Sequence, residues 1–276
     1  MYRFLFVLLL FPAMLFAGID PSEIAGSRAF ALGQSYTAVN GDFWSLFHNP
    51  AGIAGLKNPE AGIFFFRRFN LAELTRSHAG FVFPFGGKQA VGLEAGSFGF
   101  DAWRENLLAL SYAITLAEKI SLGAKVNYLS IATADAGNVS ATFVTVGTQT
   151  KINSQLTLGF SAANANRATI AGFGGKEEIL SVFSTGILYQ PSEKVLLVAD
   201  VRKSIAFPLS WSGGLEYVVI PALLARVGVS TNPLTFNTGL GLKLEKLSLD
   251  MAFSFHERLG YTPHISLSYQ FAKNKG

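Results

Sequence analysis

The chain carries four histidines, His48, His78, His256 and His264, and no cysteine. His264 and Ser266 stand two residues apart, a spacing that puts both on one face of an extended segment and would suit a hydroxyl nucleophile beside its base. Such a pair needs a third group to orient the base, and no acid or asparagine is placed by the sequence to supply it. The pair reads instead as polar lining, and an enzyme is not expected. Asp135 and Asn138, in the stretch Thr133-Ala134-Asp135-Ala136-Gly137-Asn138, offer a calcium ion two oxygen ligands where about six to eight are required. That stretch reads as a turn. Phosphate loops, dinucleotide fingerprints and cysteine-based metal spacings are missing, so no cofactor and no metal are expected.

The charged residues say more. Glu94, Lys125, Asp200, Arg202, Glu216, Arg226, Lys243 and Asp250 all fall on the small-residue face of segments that alternate with period two, as does His264. Both signs occur in nearly equal number. That balance suits internal ion pairs bracing an enclosed lumen, with Arg28 as a further partner, better than a one-sign selectivity ring.

The elements that would hold these residues begin near residue 61. Segments of roughly 9 to 12 residues alternate large apolar side chains with small or polar ones, and turn residues separate them. Candidate strands run over 61–69, 75–85, 88–98, 103–116, 119–131, 139–151 and 155–165. A second set covers 179–190, 193–203, 208–219, 222–230, 235–244, 246–255 and 261–271. Ile120, Leu122, Ala124, Val126 and Tyr128, for example, oppose Ser121, Gly123, Lys125 and Asn127. Fourteen is an even number, as bacterial transmembrane barrels require.

Only 14% of the 276 residues are charged and 50% are hydrophobic, whereas soluble domains carry about a quarter charged residues. More large apolar side chains alternate here than one soluble core can hold. The expected fold is all-β: a closed antiparallel transmembrane barrel of about fourteen strands, its greasy face toward lipid and its small and charged face inward. A charge turned to lipid near the midplane would cost roughly 2–4 kcal/mol, which fixes the inward placement. Six tight turns, from Gly86-Gly87 to Glu245-Lys246, follow even-numbered strands and so share one end. The other connections, 70–74, 99–102, 132–138, 166–178 and 256–260, are mostly longer and would form the outer end. They are brief apart from 166–178, which argues against a deep binding pocket there. The net charge of +4 comes without a Lys/Arg cluster, so nucleic acid is not an expected partner.

Residues 1–17 read as a cleaved signal peptide: Arg3, an apolar run from Phe4 to Phe16, then Ala17 before polar residues. The expected division is signal peptide 1–17, N-terminal segment 18–60, barrel 61–271 and polar tail 272–276. The segment 18–60 does not alternate, yet it holds several apolar side chains and is long enough to fold back and close the barrel from below. Asp42 can cap a short helix over 43–48, with Pro50 ending or restarting it.

Within that segment stand Gly26, Arg28, Ala29 and Gly33, then the acidic turn at Asp42, then Asn49-Pro50-Ala51-Gly52. In this order the sequence resembles the FadL/TodX-type outer-membrane barrels, and among them the shorter PorV/PorQ-like proteins. The resemblance implies a fourteen-stranded barrel closed by an N-terminal hatch. It implies an outer-membrane setting among lipid, and passage of hydrophobic or amphipathic small molecules through a kinked strand or side opening. The PorV-like alternative is a non-transporting scaffold that works with secretion-system proteins at the cell surface.

Overall fold

The computed structural model describes residues 25–134, 137–172 and 175–271. The expected signal peptide, residues 18–24, Asp135 and the tail 272–276 lie outside the described residues.

Strands β1 (Glu60–Arg67), β2 (Thr75–Phe85), β3 (Gln89–Phe100), β4 (Trp103–Leu116), β5 (Ile120–Thr133), β6 (Gly137–Lys151) and β7 (Leu156–Ala163) form the first half of the wall. A small hairpin follows, β8 (Thr169–Gly172) with β9 (Gly175–Glu178). The second half is β10 (Val182–Ser192), β11 (Val195–Ser204), β12 (Ser210–Ile220), β13 (Leu223–Ser230), β14 (Thr235–Leu244), β15 (Leu247–His256) and β16 (Gly260–Gln270). Each wall strand pairs antiparallel with its neighbour in sequence, β7 pairs with β10, and β16 closes on β1. The result is a closed barrel of fourteen strands with β8–β9 outside the ring.

Turn chemistry explains the register. Gly86 and Gly87 take φ of 59° and 74°, and Ala117 and Glu118 take 46° and 62°. Two successive left-handed residues match the twist of tight hairpins. The six tight turns all lie at one end, with both Pro59 and Phe271, which are hydrogen-bonded to each other, beside them. At the other end three loops, after β3, β5 and β15, are shorter than the sequence suggested, while those after β1 and β7 are longer. Strand β3 runs to Phe100 and β4 starts at Trp103, while Thr133 already pairs with Gly137. Asn138 lies in strand pairing, opposite Ala132.

Alternation sets the two faces. Every wall strand exposes at least one large apolar side chain, among them Ile63, Leu93, Leu108, Phe236 and Tyr261, each more than half exposed. Soluble surfaces rarely show a contiguous apolar patch beyond a few hundred Å². An apolar belt around the whole circumference has hydrocarbon as its natural solvent, and the wall is that of a transmembrane barrel. No helix among the described residues is long and apolar enough to cross a membrane; this chain crosses with strands.

The core lies inside the bore. Residues 25–56 fold there as two short helices, α1 (Ser27–Ala31) and α2 (Ser45–His48), and a 3-10 helix over Pro50–Gly55. Phe30, Leu32, Tyr36, Phe43, Trp44, Leu46 and Ile53 are buried and pack against the inward Phe64, Phe66, Val82 and Val198. The helix expected over 43–48 is Ser45–His48, with Trp44 and no side-chain bond at its N-cap, and Asn49 caps the 3-10 helix that Pro50 begins, its Oδ1 accepting from Ala51 N at 3.1 Å. Asp42 instead accepts from Trp44 N at 2.9 Å just ahead of α2.

Candidate functional site

The wall admits this segment because its inward face is stripped at the points of approach. A Cβ on Gly123 of β5 would collide with Ala51 N and the Pro50 carbonyl carbon. One on Gly228 of β13 would collide with Gly33 N and the Leu32 carbonyl carbon. Gly123, Gly159, Gly214 and Gly228, which read in the sequence as part of a small, polar lumen face, are seats of the segment's backbone.

Ion pairs tie the segment to the second half of the wall. The Arg28 guanidinium grips Glu216 of β12 with two bonds, Nε–Oε2 at 2.7 Å and Nη2–Oε1 at 2.8 Å. Its Nη1 donates to Asp42 Oδ2 at 2.7 Å. Arg226 of β13 donates to Glu216 at 2.6 Å and to Asp250 of β15 at 2.6 Å. The chain of charges thus runs Asp42, Arg28, Glu216, Arg226, Asp250. Burial opposes the charge on Arg28, but Glu216, with Tyr36 and Asp42, holds its pKa well above the ordinary value. Burial also pushes the Tyr36 phenol up, and that phenol donates to Asp42 at 2.6 Å.

A second anchor needs one carboxylate. Asp200 Oδ2 accepts from Tyr36 N (2.9 Å), Thr37 N (3.0 Å) and Thr37 Oγ1 (2.6 Å). On the opposite wall Lys125 Nζ donates to Glu94 at 3.0 Å and to the Leu46 carbonyl at 3.3 Å. Gln149 of β6 donates to the carbonyls of Thr37 and Val39, and accepts from Asn40 Nδ2 at 2.9 Å. Asn49 donates to the Thr37 carbonyl at 2.8 Å and reaches the Thr148 and Phe160 carbonyls on β6 and β7. His48 Nε2 lies 2.8 Å from the Ala25 carbonyl; burial lowers its pKa to about 3, so the ring is neutral.

Of the residues singled out as lumen-lining, Glu94, Lys125, Asp200, Glu216, Arg226, Asp250 and His264 are buried inside the bore. Arg202 is half-buried, and Lys243 is exposed at the tight-turn rim of β14, where a lumen-lining place was expected. In the N-terminal motif, Arg28, Asp42 and Asn49 make the bonds above. Gly26, Ala29, Gly33, Pro50, Ala51 and Gly52 supply close backbone packing. Thr37, Asn40, Gln149 and Asn164 do as much and were not legible, since nothing in their spacing marks them. Asn164 (φ 49°) bonds the Ala168 and Ile179 carbonyls and pins the loop after β7. That loop carries Ile170 and Ile179 onto the inward Leu129, Ile131, Ala141 and Phe143, covering one side of the mouth.

On the other side a cavity of about 330 Å³ opens at the loop end, directly over the segment. Its floor is Phe30, Gly33 and Gln34; its walls include Phe66, Phe207, Trp211, Arg202 and His264. The expectation of no deep outer pocket fails here, because the barrel mouth itself, and not long loops, makes the vestibule. Phe30 stacks on the His264 ring with centroids 3.9 Å apart. Ser266 accepts from Ser27 N at 3.1 Å, and His264 Nε2 faces Ser254 instead, at 3.0 Å. His264 Nδ1 has no hydrogen-bond partner among the described residues.

A closed fourteen-stranded barrel, a bore filled by the chain's own N-terminal segment and an aromatic vestibule above it define the class of this protein's architecture. Among solved structures the chain is similar to a Pseudomonas aeruginosa FadL homologue (TM-score 0.71, 13% identity, 93% of this chain and 100% of that one). It is likewise similar to the Pseudomonas putida toluene transporter TodX (TM-score 0.68, 12% identity, 91% and 100%). The CymD monoaromatic hydrocarbon channel matches with TM-score 0.66 at 14% identity (94% and 99%). At these identities the likeness is one of fold. No family model and no curated protein matches the sequence.

Proposed function

We propose that this protein is an exported outer-membrane barrel that binds hydrophobic or amphipathic small molecules at its loop end and passes them inward. Residues 18–60 serve as the hatch that closes the bore to water. The observation that carries this reading is the vestibule. Its size lies within the roughly 300–1,000 Å³ of small-molecule sites, and it sets aromatic walls around a few polar groups. The hydrocarbon and toluene channels of the same fold support the substrate class. The test is uptake of labelled toluene and of a labelled fatty acid by cells with and without the protein. Faster uptake of at least one is expected; equal rates for both would contradict it.

One observation favours a second reading, a PorV-like scaffold for exported proteins. Strand β6 pairs with β7 only from Val146 to Lys151, and beyond Val144 its outer stretch from Gly137 has no ladder partner on that side among the described residues. An open strand edge accepts an incoming extended segment. Purification in mild detergent would then recover a stoichiometric partner protein, and a clean monomer would contradict the scaffold.

A further inference from the structure

A groove of about 800 Å³ runs along the lipid-facing side of the wall, over β2 and β3. It exists because the outward residues there are small. Ser77 and Ala79 on β2 and Ala95 and Ser97 on β3 stand between larger outward side chains on the flanking strands. Larger side chains bank it: Ile63, Phe65, Ile265 and Leu267 on one side, Leu108 on the other. The wall behind it is unbroken. The ladder from β1 to β4 is continuous from Phe66↔Arg76 and Arg76↔Phe98 to Glu60↔Val82 and Gln89↔Ile114, with no register shift. It is a trough in the surface and leads nowhere through the wall.

The register shows what crowns it. Phe65, Ser77, Ser97 and Asn106 form one outward row, in register across four strands. One step further toward the loop end Arg67 pairs with Thr75, and Gly99 pairs with Arg104, beyond the last β2–β3 pair, Arg76↔Phe98. Two arginines therefore flank the head of the trough about three strand spacings, or roughly 14 Å, apart. Both are exposed, and Arg67 makes no ion pair among the described residues. Arg104 meets the exposed Asp101 at 3.4 Å; Glu73 is the other exposed acid nearby in sequence.

We infer that this trough binds a phosphorylated lipid of the leaflet at the loop end. An acyl chain lies over Ala79 and Ala95, and the phosphate is held between Arg67 and Arg104, with Ser77, Ser97 and Asn106 at the chain's polar end. Hydrocarbon alone would fill the trough with any lipid chain. The arginine pair makes it selective, because a guanidinium offers a phosphate a fork of donors that it offers no neutral headgroup.

The test is thermal unfolding of the whole protein in a neutral detergent, titrated with dioleoyl phosphatidate, with dioleoyl glycerol and with inorganic phosphate. Phosphatidate should raise the midpoint at lipid-to-protein ratios near one, at least tenfold below the ratio that dioleoyl glycerol needs. Inorganic phosphate should leave it unmoved. The double variant Arg67→Gln/Arg104→Gln should lose that preference, and Ala95→Phe, which fills the trough and keeps both charges, should lose the shift. Lys203→Gln, an exposed charge on another part of the rim, should behave as the parent. Equal shifts with phosphatidate and dioleoyl glycerol, an undiminished preference in the double variant, or a shift with phosphate alone would each overturn the assignment.

Discussion

Arg28 shows how much one side chain carries. It is surrounded by Glu216, Asp42 and Tyr36, away from water, and it is the link between the N-terminal segment and the buried charges of β12, β13 and β15. Removing one member of a buried ionic set costs about 3–5 kcal/mol, because the partners stay behind uncompensated. Arg28→Ala is expected to cost about that much, read as lower resistance to chemical unfolding and faster hydrogen exchange over residues 25–56. Adding Glu216→Gln to it should cost less than the sum of the two single changes, since the second change removes one stranded charge. An additive cycle would mean that the pair is not coupled. Arg28 and the wall carboxylates were legible as charges on a face that lipid forbids. Their pairing was not, because period-two alternation gives the side of a strand a residue faces and not its height in the bore.

At the scale of elements, the fourteen wall strands follow from the alternation to within a few residues at each end. The exceptions are where a loop folds inward. The hairpin β8–β9 has no amphipathic signature of its own and exists because Asn164 turns the chain over the apolar rim of β5 and β6. The short helices of the segment are too brief to be stable alone, and their burial inside the bore holds them. His48 makes that burial sensitive to acid. Its pKa is lowered to about 3 by desolvation, from 6.5 in the free chain, so the undocked segment binds the extra proton in between. Docking should therefore be fully stable above about pH 6.5 and weaken as pH falls toward 3, by up to about 1.4 kcal/mol per pH unit from this group. Hydrogen exchange over residues 25–56, followed from pH 7 to 4, should show protection falling faster than in His48→Gln, which keeps a donor toward the Ala25 carbonyl. Parallel curves would remove His48 from the account.

For the whole molecule, two surfaces with opposite tastes share each strand. The outer one is continuous apolar side chains, and the inner one is glycine, hydroxyl and charge fitted around a segment of the same chain. The proposed hatch role means that a barrel emptied of residues 25–56 should conduct water and ions where the filled one does not. Single-channel conductance in a planar bilayer therefore reads the central claim most directly, comparing the intact chain with one lacking residues 18–56, both checked for a folded, detergent-resistant barrel. The intact chain should stay closed, and the shortened one should conduct in discrete steps. Equal conductance of the two, at either level, would contradict the account.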